Sequence, residues 1–408
     1  MRRGDPNNRG WILRGITRNV FLLGLVSLCT DLSSQMVFPL LPLFLTSVLG
    51  AGAYTVGIVE GAAETTASLF KVVSGLWSDR VRRRKPFILF GYSVSSLVKP
   101  LFGVAGSWPF VVFVRVAERI GKGVRNAPRD AIVAESCDER VRGTAYGFHR
   151  AMDGIGSIAG ALLAFVLLPV LGYRRIFLYS LIPGLVAVLF ILFVTEPEPA
   201  GAPAGGRATR PPTGTPHVPF PLKVFIAASS VFALGHFGYA FLLLRAKNIG
   251  LTDERAILLY VIFYISYTLS IIPAGMLSDR IGRKPLLGTG YALFGLLAAA
   301  LIAVSSAAGL LALFVLYGIL FGMIDGVQRA FVVDMAPKDA RATALGIFHT
   351  AVGLAALPGG YLAGMLWDTI RPEATFVYSL VMTVTALVLL LCVKVEGRRG
   401  DPDGVPEA

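Results

Sequence analysis

Two distant stretches of the chain read almost alike: "GLWSDRVRRRKP" at 75–86 and "GMLSDRIGRKP" at 275–285. A second pair follows in the same order, "AESCDERVRGTAYG" at 134–147 and "VDMAPKDARATALG" at 333–346. Two phrases in one order in both halves imply duplication. Outward from these phrases, apolar stretches of about 20 residues, long enough to cross a bilayer, recur along nearly the whole chain with short polar loops between them. About twelve are expected by that rule. The expected fold class is an all-α integral membrane protein of about 12 transmembrane helices, arranged as two pseudo-symmetric six-helix bundles. The bundles are placed at 19–195 and 222–395. Residues 1–18 form a cytoplasmic N-terminal segment and 396–408 a cytoplasmic tail. Between the bundles, 196–221 ("EPEPAGAPAGGRATRPPTGTPHVPFP") reads as a flexible cytoplasmic linker, rich in Pro, Gly and Ala and poor in apolar bulk.

The 408 residues are 55% hydrophobic and 15% charged, with a mean hydropathy of +0.68, which is more apolar and less charged than a soluble domain. A net charge of +13 would suit a nucleic-acid partner, but its distribution follows membrane topology and no nucleic acid is expected. Arg2, Arg3, Arg9, Arg14 and Arg18 precede the first apolar stretch, and Arg80, Arg82, Arg83, Arg84 and Lys85 fill the loop after the second. In contrast, "SVLGAGA" (47–53), "AGSW" (105–108) and "VSSAAG" (304–309) carry neither Lys nor Arg. The positive-inside bias then puts both termini in the cytoplasm, with Arg174, Arg175, Lys247, Arg255 and Arg371 as exceptions on the opposite face. The first apolar run is too long for a signal-peptide core and lacks a small-residue cleavage site, so it is expected to stay in the mature protein. Cys29, Cys137 and Cys392 offer neither a disulfide pair nor a metal-binding spacing.

The run Gly-x-x-x-Asp-Arg-x-x-Arg-(Arg/Lys) occurs at Gly75, Asp79, Arg80 and Arg83, and again at Gly275, Asp279, Arg280 and Arg283. It resembles the signature of the major facilitator superfamily, and the resemblance extends over nearly the whole chain. "RIGKGVRNAPRDA" (119–131) is similar to a prokaryotic branch of that superfamily whose substrates are largely unassigned. The first copy departs from the pattern with Arg82, where the second has Gly282. The resemblance implies a secondary transporter that works by alternating access in the cytoplasmic membrane, with a small-molecule substrate, protons as the expected coupling partner, the bilayer as surroundings, no cofactor and a monomeric state. It also implies that Asp79 and Asp279 sit at the positive N-terminus of a neighbouring helix. Arg83 and Arg283 would then pair with an acid at the end of the fourth helix of the same half, for which Glu135 and Asp334 stand at corresponding repeat positions. Pairs that form in one conformation and open in another act as a conformational latch. The plainer reading is that these are solvated loop charges serving topology.

In the fourth apolar stretch Arg115, Glu118, Arg119, Lys122, Asn126 and Arg129 fall within one helical stripe. Such a stripe cannot face lipid, because an intramembrane charge costs roughly 2.5 to 3.5 kcal/mol. Glu60, Glu64 and Lys71 share a face of the second stretch, and Asp31, Lys99, His149, Arg150 and Asp153 add to the same interior. Asp31, Glu60, Glu64, Arg115, Glu118, Arg119, Lys122, Asp153 and Asp325 are therefore the candidates for binding substrate or proton, with Asp31 or Glu64 as proton carrier and His149 as the next choice. A structural ion-pair network is the rival explanation. Pro128 is expected to kink or end the fourth helix. The second half carries aromatics instead, among them Phe237, Tyr239, Phe241, Tyr260, Phe263, Tyr264, Tyr267, Tyr317 and Phe321. Charge in one half and rings in the other suggest an amphipathic organic anion. Efflux of a cation, drug or metal ion by the same fold stays open, as does a non-transporting receptor or lipid-handling protein. "GKG" at 121–123 lacks the phosphate-loop frame, and neither HExxH nor a nucleophile elbow occurs, so no enzyme activity and no metal site are expected.

Overall fold

A computed structural model of the chain describes residues 16–81, 83–137, 141–196, 218–337 and 340–393. Both termini, Arg82 and most of the expected linker lie outside the described residues. In lipid every backbone polar group has to be satisfied within its own segment, which leaves the helix as the unit of construction here. Among the described residues the helices group into twelve columns. These are α1 (Arg18–Val48), α2 (Ala53–Val81), α3 (Lys85–Val104), α4 (Trp108–Glu135), α5 (Arg142–Tyr179), α6 (Leu181–Leu192), α7 (Phe220–Asn248), α8 (Asp253–Ile281), α9 (Arg283–Ala303), α10 (Ala307–Met335), α11 (Arg341–Thr369) and α12 (Pro372–Cys392).

Local chemistry decides where the columns depart from straight rods. In α1 the helix stops at Gln35, turns at Met36–Pro39, and resumes at Leu40 before loosening into a π-helical turn, Phe44–Val48. Helix α5 is longer than one membrane crossing: it runs from Arg142 until Gly172 breaks it at φ 66, ψ 173. Helix α7, expected as one span, divides into Phe220–Gly235 and Gly238–Asn248. Pro128, expected to kink or end α4, lies inside a helix that runs on to Glu135.

The packing repeats between halves. Helix α1 lies against α5 as α7 lies against α11, α2 against α4 as α8 against α10, and α3 with α6 as α9 with α12. Large apolar side chains on the outer columns are exposed, among them Phe90, Leu97, Ile182, Leu189, Leu296, Val384 and Leu391, as a lipid-facing surface requires. The halves meet along α2–α11 and α5–α8. On α2–α11 the contact is backbone to backbone: a methyl group added at Gly57 would lie 1.9 Å from the Gly360 carbonyl oxygen, and one at Gly364 would lie 2.4 Å from Tyr54 Cα. A glycine at these points lets two helices approach closer than any side chain permits.

Candidate functional site

A cavity of about 570 Å3 lies between the halves, lined from the first by α1, α2, α4 and α5 and from the second by α7, α8, α10 and α11 with Phe294 of α9. Its end opposite the start of α1 and the end of α12 is closed. There the Asp368 carboxylate, at the end of α11, accepts from the backbone N–H groups of Ala53 (3.0 Å) and Tyr54 (2.8 Å) and so caps α2. Lys247 donates to Ser47 Oγ at 3.1 Å and pairs with Asp253, which also receives the Tyr173 hydroxyl. Toward the start of α1 and the end of α12 exposure rises: Arg115 is 0% exposed and Arg119 11%, whereas Arg150 reaches 55% and Asp325 42%. The cavity therefore opens on the face where α1 starts and α12 ends.

The α4 stripe splits into two layers. Arg115 and Glu118 are fully buried behind the cavity wall. Arg115 Nη2 donates to both Glu60 oxygens, at 2.9 and 3.2 Å, its Nη1 is 3.6 Å from Glu118 Oε2, and its guanidinium lies 3.9 Å above the Phe38 ring. Ser95 Oγ donates to Glu118 at 3.1 Å. Nearby, fully buried Lys99 donates to Ser33 Oγ at 2.6 Å and Ser34 Oγ at 3.2 Å. Arg119 and Lys122 belong to the second layer and line the cavity. Arg119 shares the Phe38 ring at 4.9 Å and its Nε approaches Glu118 at 3.5 Å. Lys122 makes no hydrogen bond or ion pair among the described residues. Further along, Arg125 stacks 4.1 Å over Tyr92, and Arg129 donates to Asp130 at 2.8 Å.

The expected acids are distributed differently. Asp31, Glu60, Glu64, Asp153 and Asp325 all line the cavity. Asp31 shares the cavity lining with Lys122, Arg125, Arg129 and Asp153. Asp153 accepts from Ser27 Oγ and lies 3.6 Å from His149 Nδ1 and 3.5 Å from Arg150. Asp325 pairs with Arg329 one helical turn away. Glu64 is exposed to the cavity with no ion pair among the described residues.

Across the cavity stands an aromatic wall. Tyr239 meets Tyr260 at 5.0 Å between centroids, Phe263 meets Tyr317 at 5.0 Å, and Tyr267 meets Phe321 at 5.2 Å. Sequence reasoning missed Gln35, His236 and His349, and with them the partners of Tyr260, Tyr317 and Lys71. Tyr260 donates to Gln35 at 2.8 Å across the two halves, Lys71 Nζ lies 3.2 Å from His349 Nε2 at the α2–α11 boundary, and the Tyr317 hydroxyl lies 3.2 Å from His236 Nε2. A lone Gln, Lys or His on a mostly apolar span carries no partner in its own neighbourhood of sequence. The flanking glycines of "LGHFGYA" (234–240) were the available signal for His236.

At the repeated loop motif, Arg283 pairs with Asp334 and lies 3.5 Å from Asp279. The pairing expected between Arg83 and Glu135 is corrected: Glu135 binds Arg84, at 2.6 Å, and Arg83 is exposed. The first copy holds one more residue before its proline, so counted back from Pro86 and Pro285 it is Arg84 that matches Arg283. The lysines agree with that register, Lys85 donating to the Leu192 carbonyl (2.9 Å) and Lys284 to that of Leu391 (3.0 Å). Ser78 and Ser278 donate to the carbonyls of Gly75 and Gly275, and Arg280 is exposed. Gly282 has φ 92, a conformation open to glycine at no steric cost. The side chains of Asp79 and Arg80 lie outside the described residues.

Comparison with known proteins places this geometry in context. The family model described as Major Facilitator Superfamily matches residues 23–244 and 223–407. An uncharacterized MFS-type transporter of Methanocaldococcus jannaschii is 40% identical over 387 residues, covering 93% of this chain and 95% of its own. A cis,cis-muconate transport protein of Acinetobacter baylyi is 26% identical, covering 74% of this chain and 73% of its own. Among solved structures, a nucleoside transporter superposes with a TM-score of 0.76 at 15% identity, over 93% of this chain and 100% of its own. A D-xylose–proton symporter does so at 0.72 and 16%, over 92% and 97%; at such identities the likeness concerns the fold.

Proposed function

The chain belongs to the Major Facilitator Superfamily and is a multi-pass membrane transport protein, and from that premise we propose that it moves a small amphipathic organic anion by alternating access. The observation that carries this reading is the pair of cavity cations, Arg119 and Lys122, facing the aromatic wall. Glu118, the acid nearest Arg119, is already engaged by Arg115 and Ser95, so Arg119 and Lys122 together leave positive charge for a ligand to neutralise. A cation in a low-dielectric cavity is costly unless paired, and a substrate carboxylate supplies the partner. The rings of Tyr239, Tyr260 and Phe263 offer an apolar face to the rest of the molecule. The relative named as a cis,cis-muconate transport protein is consistent with a conjugated carboxylate as cargo.

Protons are proposed as the coupling ion. Asp31 is the proposed carrier, because it lines the same cavity as Lys122, so that its charge is felt at the anion site. The Arg84–Glu135 and Arg283–Asp334 pairs, on the face toward which the cavity opens, are proposed as latches that rearrange when the cavity turns to the other side. The charge bias of the loops supports a cytoplasmic location for both termini, and the chain is proposed to act as a monomer in the cytoplasmic membrane. Glu64, exposed to the cavity without an ion pair, supports a second reading in which the cargo is a cation.

A thermal-shift panel of organic anions, organic cations and divalent metals separates the two. A ligand at about 100 times its dissociation constant stabilises the folded state by roughly 2.7 kcal/mol. Stabilisation by anions that Arg119→Ala abolishes supports the anion site. Stabilisation by cations alone, lost in Glu64→Gln, overturns it.

A further inference from the structure

Helix α7 is interrupted in mid-membrane. Its first piece ends at Gly235, His236 is extended (φ -78, ψ 107), and the second piece starts at Gly238 with φ 63 and no side-chain cap. Irregular backbone at membrane depth is tolerated where it lines a cavity, and His236, Phe237 and Gly238 all line this one. The break turns an imidazole toward the cavity, among several of its aromatic rings. His236 sits 5.4 Å from Phe294, 5.9 Å from Phe232 and 6.0 Å from Phe321, centroid to centroid. Its Nε2 is engaged by the Tyr317 hydroxyl at 3.2 Å. Its Nδ1 has no hydrogen-bond partner among the described residues, and it is not among the polar atoms sealed inside the protein.

Between this nitrogen and the cations of α4 runs a continuous apolar surface. Tyr239 lines the cavity together with Arg119 and packs on Tyr260, which packs on Phe263 at 5.5 Å, which in turn packs on Tyr317. The cavity thus has a cationic end, a flat aromatic middle and a hydrogen-bonding end. We propose that His236 and Tyr317 form a second recognition point, which binds a hydroxyl at the far end of a flat organic acid whose carboxylate lies at Arg119 and Lys122. This rests on the anion reading above and adds the substrate's second polar group. A hydroxyl serves either tautomer of His236, accepting from Nδ1–H or donating to bare Nδ1. A site built to pair such a group discriminates against analogues that lack it, because its own polar atoms are then left unpaired.

The test is titration calorimetry of the purified chain with benzoate and 4-hydroxybenzoate. The wild-type protein is expected to bind 4-hydroxybenzoate about tenfold more tightly than benzoate, as one net hydrogen bond allows. His236→Phe, which keeps a ring but removes Nδ1, is expected to bring that ratio to about one, and Tyr317→Phe, which leaves Nδ1 but frees Nε2, to lower it, while both variants still bind benzoate. Retained benzoate binding shows that the variants are folded. Equal affinities in the wild type, or a preference that survives both substitutions, overturns the second recognition point and leaves the anion site standing. Binding of neither acid by the wild type also overturns this inference, and the thermal-shift panel then decides the anion reading by itself.

Discussion

Replacing Gly57 by alanine tests whether the α2–α11 seam is a moving gate. The added methyl group would lie 1.9 Å from the Gly360 carbonyl oxygen and 2.6 Å from its carbon, both of them backbone atoms without a rotamer to change. The helices must therefore separate by about 1.5 Å to reach ordinary van der Waals contact. Overpacking of this kind costs typically about 1 to 3 kcal/mol. A rigid scaffold would absorb the cost as lost stability. An alternating-access protein relieves it by populating the state in which the seam is open, a shift of about 5- to 150-fold for that energy. Spin labels at Ser107 and Arg371, exposed positions in loops of the two halves at the closed end, report the separation by pulsed electron–electron resonance. In the parent protein the short distance is expected to be populated, and in Gly57→Ala a longer one is expected to grow at its expense. Gly326→Ala, where a methyl group meets nothing within 4 Å, should leave the distribution unchanged. An unaltered distribution in folded Gly57→Ala would refute the gate.

The two layers of the α4 stripe should respond differently to substitution. Arg119→Ala should weaken anion binding at least tenfold with little change in unfolding temperature, whereas Arg115→Ala strands Glu60 and Glu118 and should cost about 3 to 5 kcal/mol; calorimetry and thermal unfolding of the two variants compare them. Asp334→Asn removes an ion pair whose members are 27% and 49% exposed, so a stability change below about 1 kcal/mol is expected beside a clear change in transport rate. A large loss of stability with an unchanged rate would make Arg283–Asp334 a structural bridge. Gly238→Ala forces a left-handed conformation on a residue with a Cβ, at about 1 to 2 kcal/mol, and thermal unfolding should show the loss although a methyl group there meets nothing within 4 Å.

Much of the architecture was legible because the bilayer imposes simple length and polarity rules and because the repeated phrases mark equivalent positions. Periodicity located the α4 stripe, but both of its layers lie on the same face of one helix, so spacing could not tell buried Arg115 and Glu118 from cavity-lining Arg119 and Lys122. The α7 break was hidden since "FALGHFGYAF" (232–241) stays apolar enough to pass as one span, and His236 gains its meaning only from Tyr317 on α10. Arg84 was overlooked in favour of Arg83 because the motif was counted forward from its aspartate, while the geometry at Glu135 follows the count back from the proline. Pairs such as Lys71–His349 and Gln35–Tyr260 join opposite halves, and no local pattern announces them.

The most direct test of the anion transporter is flux in reconstituted liposomes with an imposed pH gradient, following radiolabelled benzoate, 4-hydroxybenzoate and cis,cis-muconate beside an organic cation. Saturable accumulation of at least one acid, abolished by Arg119→Ala and by collapse of the gradient, is the expected result. Accumulation of the cation alone, or acid flux that survives Arg119→Ala, would contradict it.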